Sequence, residues 1–138
     1  MPVGVLLVAG FVILSVLFLL APRVVNQQKP PNYAGCYEAA GAPKIEIARD
    51  SLRIAQQPAL SMPYKVEYIK GWALSLDSSL DLVVRGSAVT IASRPGHGQN
   101  VFFIREGEWA PSNPGFTLDD ETGQYSVRYT RTGARCIV

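Results

Sequence analysis

The sequence contains one histidine, His97, and two cysteines, Cys36 and Cys136, among its 138 residues. A zinc site needs several closely placed nitrogen or sulfur ligands, and this small set contains no such pattern. The acidic segment Asp119–Glu121 lacks the spacing of a calcium loop. Nucleophilic catalysis needs a base, a nucleophile and an orienting group, whereas His97 lies alone in the glycine-rich segment RPGHGQN. The sequence therefore favours a non-catalytic protein with neither a metal nor a cofactor.

An excess of charge of one sign is also missing. Eleven basic and eleven acidic residues lie from Asn32 onward, and the formal net charge of +2 comes from Arg23 and Lys29. Proteins that bind nucleic acid carry clustered basic residues that neutralise phosphates. A neutral domain therefore argues against nucleic acid as a partner.

One long apolar run is present, from Val3 to Ala21, and Ser15 is its only polar side chain. At 1.5 Å of rise per residue the run is about 28 Å long, close to the roughly 30 Å hydrocarbon core of a bilayer. We expect residues 1–22 to form an uncleaved transmembrane anchor that contacts the lipid bilayer through residues 3–21. A cleaved signal peptide is the alternative, but the run is long for one and no basic side chain precedes it.

The next segment, residues 23–33, reads RVVNQQKPPNY and has no apolar periodicity. Its composition and its Pro30–Pro31 pair predict a polar, partly stiff spacer. The remaining residues, 34–138, are enough for one hydrophobic core, so we expect one domain there.

Cys36 and Cys136 bracket this domain almost end to end. A pair of cysteines at the margins of a small β-rich domain is typical of a disulfide bond in an oxidising compartment; two unrelated thiols are the alternative. The bond predicts an extracytoplasmic domain on a single-pass anchor in the inner (cytoplasmic) membrane of a bacterium. Arg23 and Lys29, which follow the apolar run, favour the opposite orientation by the positive-inside rule, although the charge difference is small.

The domain reads as a series of short segments in which apolar and polar residues alternate, which is typical of half-buried strands. The predicted strands lie at 44–47, 52–54, 64–68, 72–76, 80–84, 88–92, 101–104, 116–118 and 125–129. We expect turns or loops at 49–51, 77–79, 85–87, 93–100 and 119–123. The apolar segment 101–104 suits a central strand, and a short helical turn is the alternative to a strand within 50–57.

Short strands at regular spacing predict an all-β domain: a small antiparallel β-sandwich or barrel of about eight short strands, following the N-terminal transmembrane helix. We place Cys36 just before the first strand and Cys136 at the end of the last. A bond between them would connect the first and last strand regions and help to close the sheet.

Arginine and aromatic side chains provide a candidate binding surface. Arg128, Arg131 and Arg135 lie near the C-terminus with tyrosines between them, and alternation places Arg128 on the solvent face. Guanidinium groups in such a row suit phospholipid headgroups or an anionic polymer. The full set of candidate residues is Arg128, Arg131, Arg135, Trp72, Trp109 and His97.

The segment Gly35–Glu38, followed by an alternating strand and a hairpin, is similar to the opening of small lipocalin-like envelope domains. The similarity covers a short stretch without a diagnostic motif, so it assigns no family. The sequence as a whole favours a non-catalytic binding or assembly module of the cell envelope, with an envelope protein or an anionic lipid or polymer as its partner. One alternative is a lipocalin-like carrier of an apolar small ligand, with an interior cavity lined by Val66, Trp72 and Phe103. A small hydrolase that uses His97 and a nearby carboxylate is less favoured.

Overall fold

The computed structural model describes residues 30–103 and 114–136. The predicted anchor, residues 1–22, most of the spacer, and Trp109 lie outside these ranges. Within them, no helix has the length and apolar composition needed to cross a membrane.

The described residues form eight strands in one antiparallel sheet, which confirms the all-β prediction. The strands are β1 (Gly35–Glu38), β2 (Lys44–Ile47), β3 (Ser51–Ala55), β4 (Leu60–Tyr68), β5 (Trp72–Arg85), β6 (Ala88–Phe102), β7 (Gly115–Asp119) and β8 (Ser126–Gly133). Their order across the sheet is β6-β5-β4-β3-β2-β1-β8-β7. A bridge from Leu82 in β5 to Asp120, just after β7, brings the two sides of the sheet together. The sheet is therefore barrel-like and nearly closed.

Successive strands run in opposite directions, so the connections alternate between two ends of the barrel. At one end, which we call the entry end, the chain enters β1, and the turns at 48–50 and 69–71 and the last residues of β8 lie there as well. The opposite end, which we call the far end, contains the connections at 39–43, 56–59, 86–87 and 120–125.

The interior of the barrel is filled by side chains from alternate strand positions. Ile45 of β2 lies opposite Ile54 of β3, and both are buried. The rings of Phe116 and Tyr129 stack at a centroid distance of 5.2 Å, and Phe103 contacts Phe116 edge to face at 5.6 Å. Burial of each side chain of this size contributes about 1.5–3 kcal/mol to stability, which makes this cluster a major source of the fold's free energy.

Three predicted hairpins are confirmed within the described residues. β2 pairs with β3 around the turn at 48–50, β5 with β6 around 86–87, and β7 with β8 around 120–125. The segment Ser51–Ala55 is a strand, so the alternative of a helical turn there is wrong.

Two predicted interruptions are wrong, and for the same reason. Residues 77–79 lie inside β5, which has 14 residues, and residues 93–100 lie inside β6, which has 15. The β5–β6 pairing continues through this region with a shift in register between Leu76 and Ser78. Leu76 and Leu80 are both buried, and the polar residues between them interrupt the apolar positions without ending the strand, so the sequence looked like a turn. The predicted central strand at 101–104 is also wrong in position, because Val101 and Phe102 end β6, which lies at one side of the strand order.

The outer half of the β5–β6 hairpin closes the far end of the barrel. On one side, Leu82 bridges to Asp120. On the other, the amide of Gln56, which follows β3, donates to the Ile91 carbonyl oxygen at 2.7 Å and accepts from the Ile91 N–H at 2.9 Å. Leu80, Leu82 and Ile91 are buried beneath this half of the hairpin.

Candidate functional site

The predicted disulfide bond between Cys36 and Cys136 is present. Cys36 lies within β1 rather than before it, and Cys136 lies three residues beyond the end of β8 rather than at its end. Because β1 and β8 also pair directly, the bond joins two strands that are already neighbours. It therefore fixes the short segment that follows β8, more than it closes the sheet.

The position of Cys36 decides where that segment goes. In the β1–β2 register Cys36 lies opposite Glu46, which shares the outer face of the sheet with Arg53 of β3. The bond to Cys136 consequently draws residues 134–136 over the outer face of β1, with a distance of 4.8 Å between the two Cα atoms. Cys36 is buried although it points outward, because this segment covers it.

A cleft lies between this C-terminal segment and the outer face of β2 and β3, and it reaches the entry end. Its volume is about 390 Å³, and it is lined by Ala34, Glu46, Ile47, Ala48, Arg49, Arg53, Ala134 and Arg135. Three chain segments thus contribute an arginine to the lining of the cleft: Arg49 from the β2–β3 turn, Arg53 from β3 and Arg135 from the C-terminal segment. We call this site the cationic cleft.

Among the described residues, no ion pair within 4.0 Å joins an arginine of the cationic cleft to a carboxylate. Arg53 lies directly across from Glu46, yet no ion pair joins them within 4.0 Å. The ion pairs found among the described residues lie elsewhere, between Lys44 and Glu38 and between Arg94 and Asp81. The lining of the cleft therefore combines three arginines with one half-buried acidic residue, Glu46, a composition suited to an anionic group.

The turn that carries Arg49 is fixed by a tyrosine of β4. The Tyr64 hydroxyl donates to the Ala48 carbonyl oxygen at 2.5 Å and lies 3.2 Å from the Arg49 carbonyl oxygen. Burial raises the pKa of Tyr64, and the nearby carboxylate of Asp50 raises it further, so the hydroxyl keeps its proton and remains a donor at neutral pH. This contact holds one wall of the cationic cleft in place.

The three arginines of the predicted C-terminal row have different positions. Arg135 lines the cationic cleft. The Arg131 side chain packs beside Gly35, where a Cβ atom would come within 2.7 Å of the Arg131 Cδ atom, and Arg131 Nη1 donates to the Asn32 carbonyl oxygen at 3.0 Å. Arg128 lies on the outer face of β8 opposite Thr117, as alternation predicted. Arg131 thus fastens the entering chain to the barrel, while Arg128 and Arg135 face different surroundings.

The remaining candidate residues are not brought together with the cleft. Trp72 lies at the entry end, half-buried, with its ring 5.3 Å from that of Tyr68. His97 lies in the bulged part of β6 and is exposed, and among the described residues it forms no hydrogen bond or ion pair with a carboxylate. Trp109 lies outside the described residues.

The acidic turn after β7 satisfies its carboxylate internally. Asp120 accepts from the Tyr125 N–H at 3.1 Å and from the Thr122 hydroxyl at 2.8 Å. These bonds lower the pKa of Asp120, with that from Tyr125 having the largest effect. In the part of the chain that the structure describes, no three His, Cys, Asp or Glu side chains lie close enough together to hold a metal ion.

Sequence reasoning missed Glu46, Arg49 and Arg53 as parts of one site. Alternation in the predicted hairpin was sufficient to place Glu46 and Arg53 on one outer face, with Arg49 in the turn beside them. The return of Arg135 to the same place depends on how the disulfide bond directs the C-terminal segment, and no local pattern indicates that. The chain matches no protein-family model, no curated protein and no solved structure.

Proposed function

We propose that this protein is a membrane-tethered, non-catalytic binding module of the cell envelope that holds a phosphate- or carboxylate-bearing ligand in its cationic cleft. The observation that carries the proposal is the convergence of Arg49, Arg53 and Arg135 on one cleft, where none of them forms an ion pair with another residue in 30–103 or 114–136. The apolar run at residues 3–21 is the tether, and the disulfide bond supports an extracytoplasmic domain.

The guanidinium groups account for the choice of ligand. Arginine presents planar, paired N–H donors that match the spacing of carboxylate and phosphate oxygens. Each hydrogen bond to a charged group contributes about 1.5–3 kcal/mol, so the loss of one arginine from a three-arginine site should weaken binding by about tenfold or more. Glu46 disfavours the close approach of a bulky polyanion and favours a single compact anionic group.

A carrier of an apolar ligand is the other function that the architecture supports, because eight-stranded meander barrels include the lipocalins. Phe103, predicted to line a cavity in that case, instead packs its ring 3.8 Å from that of Tyr33 and 5.9 Å from that of Tyr37. Val66 and Trp72 also pack against the core. This packing favours the outer cleft over the barrel interior as the binding site.

The proposal is tested with the full chain in nanodiscs of phosphatidylcholine, titrated with inorganic pyrophosphate by calorimetry. Arg49→Gln, Arg53→Gln and Arg135→Gln should each weaken binding about tenfold or more. The matched control is Arg85→Gln, at the exposed tip of the β5–β6 hairpin at the far end, which should leave binding unchanged. Equal losses in all four variants, or no saturable binding by the unaltered protein, would contradict the proposal.

The same titration separates two sources of the anionic group. In nanodiscs that contain phosphatidylglycerol, a lipid phosphate that occupies the cleft should compete with pyrophosphate and weaken its apparent affinity. A soluble envelope ligand is indicated if pyrophosphate binds equally well in both kinds of nanodisc.

A further inference from the structure

Of the five exposed large apolar side chains among the described residues, three lie at the entry end, while Val84 and Tyr125 lie at the far end. Tyr68 and Ile69, in and beside the β4–β5 turn, are 66% and 47% exposed, and Phe102 at the end of β6 is 45% exposed. Phe102 lies opposite Ala73, the residue that follows Trp72, so the turn and the end of β6 are neighbours. We call Tyr68, Ile69, Lys70 and Phe102 the apolar tip.

Two contacts support the conformation of the apolar tip. The Tyr68 ring meets the Trp72 ring edge to face at 5.3 Å, and the Ile69 N–H donates to the Gly71 carbonyl oxygen at 3.1 Å. Lys70, in the same turn, is exposed. Aromatic rings with an adjacent basic side chain are the composition that favours the boundary between lipid headgroups and acyl chains.

The entering chain reaches the barrel beside this tip. Tyr33 stacks on Phe103, which follows Phe102 directly, and the Tyr37 hydroxyl donates to the Tyr33 carbonyl oxygen at 2.7 Å. Eight residues, 22–29, separate the apolar run from Pro30, and fully extended they span at most about 28 Å. A tether of this length keeps the entry end within reach of the bilayer surface.

We propose that the apolar tip docks onto the surface of the same bilayer that holds the anchor, with Tyr68, Ile69 and Phe102 in the headgroup region and Lys70 beside lipid phosphates. This inference rests on the membrane tether of the proposed function and not on the ligand of the cationic cleft. Arg49 and Arg135 of the cationic cleft lie at the entry end. Docking of that end would therefore direct the opening of the cleft toward the lipid headgroups.

Two cysteine variants of the full chain test the docking. Ile69→Cys places a thiol in the apolar tip, and the matched control Val84→Cys places one at the far end, where Val84 is 42% exposed. Each is labelled with an environment-sensitive fluorophore without reduction, so that the bond between Cys36 and Cys136 stays closed, and is reconstituted into vesicles of phosphatidylcholine and phosphatidylglycerol.

Docking predicts that the label at position 69 emits at shorter wavelength and is quenched by nitroxide lipids, while the label at position 84 is quenched by aqueous iodide instead. Equal behaviour of the two labels, with the protein floating with the vesicles at high salt, would refute docking and leave the tether standing. Failure to float with the vesicles would refute the tether and the docking together. If nitroxide lipids quench the label at position 69 but the protein does not bind pyrophosphate, the ligand proposed for the cationic cleft is refuted and docking is not.

Discussion

The Gln56 side chain is the contact that holds the β5–β6 hairpin across the far end of the barrel, and its removal should lower the free energy of unfolding markedly. Its amide forms two hydrogen bonds to the backbone of Ile91, at 2.7 and 2.9 Å. The two residues are 35 positions apart in the chain and belong to strand regions that do not pair. In Gln56→Ala the Ile91 N–H and C=O both lose their partner.

The magnitude follows from the partial burial of these groups. A buried polar group left without a partner costs about 1–3 kcal/mol, and partial access of water reduces the cost toward the lower half of that range. Because two groups lose their partner, we expect Gln56→Ala to lower the free energy of unfolding by about 2–4 kcal/mol. Gln124→Ala, in the exposed turn after β7, is the control and should change it by less than about 0.5 kcal/mol.

Gln56→Glu gives a sharper test because it keeps the shape and removes one donor. A protonated carboxyl can still donate to the Ile91 carbonyl oxygen, whereas a carboxylate faces that oxygen with like charge. The folded state therefore raises the pKa of this Glu above the value of the unfolded chain. The stability that the side chain contributes is complete below the unfolded value, near pH 4.3, and is lost as the pH rises through the folded value.

Denaturant unfolding of the full chain in detergent micelles, followed by tryptophan fluorescence, measures these effects. The stability of Gln56→Glu relative to the unaltered protein should fall between about pH 4 and about pH 7. A difference that does not change with pH, or a Gln56→Ala effect no larger than that of Gln124→Ala, would refute the role assigned to Gln56.

Two further variants test the disulfide bond and the acidic turn. The double variant Cys36→Ala/Cys136→Ala should lower the free energy of unfolding by about 4–5 kcal/mol. The two cysteines are 100 residues apart, so the unfolded chain regains the conformational freedom of a long loop when the bond is removed. A change under about 1 kcal/mol in denaturant titrations would contradict this. The lowered pKa of Asp120 means that its contribution to stability is present above the ordinary carboxyl pKa of 3.8 and is lost as the pH falls through the folded value. Asp120→Asn should therefore flatten the acid side of the melting-temperature profile between about pH 2 and about pH 5, and an unchanged profile counts against the assignment.

Local alternation was a sound guide wherever a strand kept one face buried throughout. Ile45 and Ile47 in β2, and Leu52 and Ile54 in β3, have the period of two that a half-buried strand requires, and the structure pairs them as expected. The same reasoning failed at 77–79 and 93–100, since both strands continue through these polar residues with a register shift between Leu76 and Ser78 that does not end the pairing. A run of polar residues inside a long strand and a turn between two short strands look alike in sequence.

At the candidate site, too, reasoning from residues close in sequence succeeded in part and failed in part. Arg135 was selected with Arg128 and Arg131 because the three are near one another in the chain, but Arg131 is engaged with Asn32 and Arg128 lies on the outer face of β8. The partners of Arg135 are Arg49 and Arg53, more than 80 positions earlier. Proximity in sequence identified one of the three cleft arginines.

By itself, the sequence determined the all-β class, the presence of hairpins and the pairing of the two cysteines, because these depend on local periodicity, turn residues and the count of thiols. The tertiary structure decided that the sheet curls into a barrel, that Gln56 and Asp120 hold a hairpin across its far end, and that the disulfide bond draws Arg135 toward Arg49 and Arg53. Those features depend on contacts between residues distant in the chain, and their energies arise only once the backbone has brought the partners together.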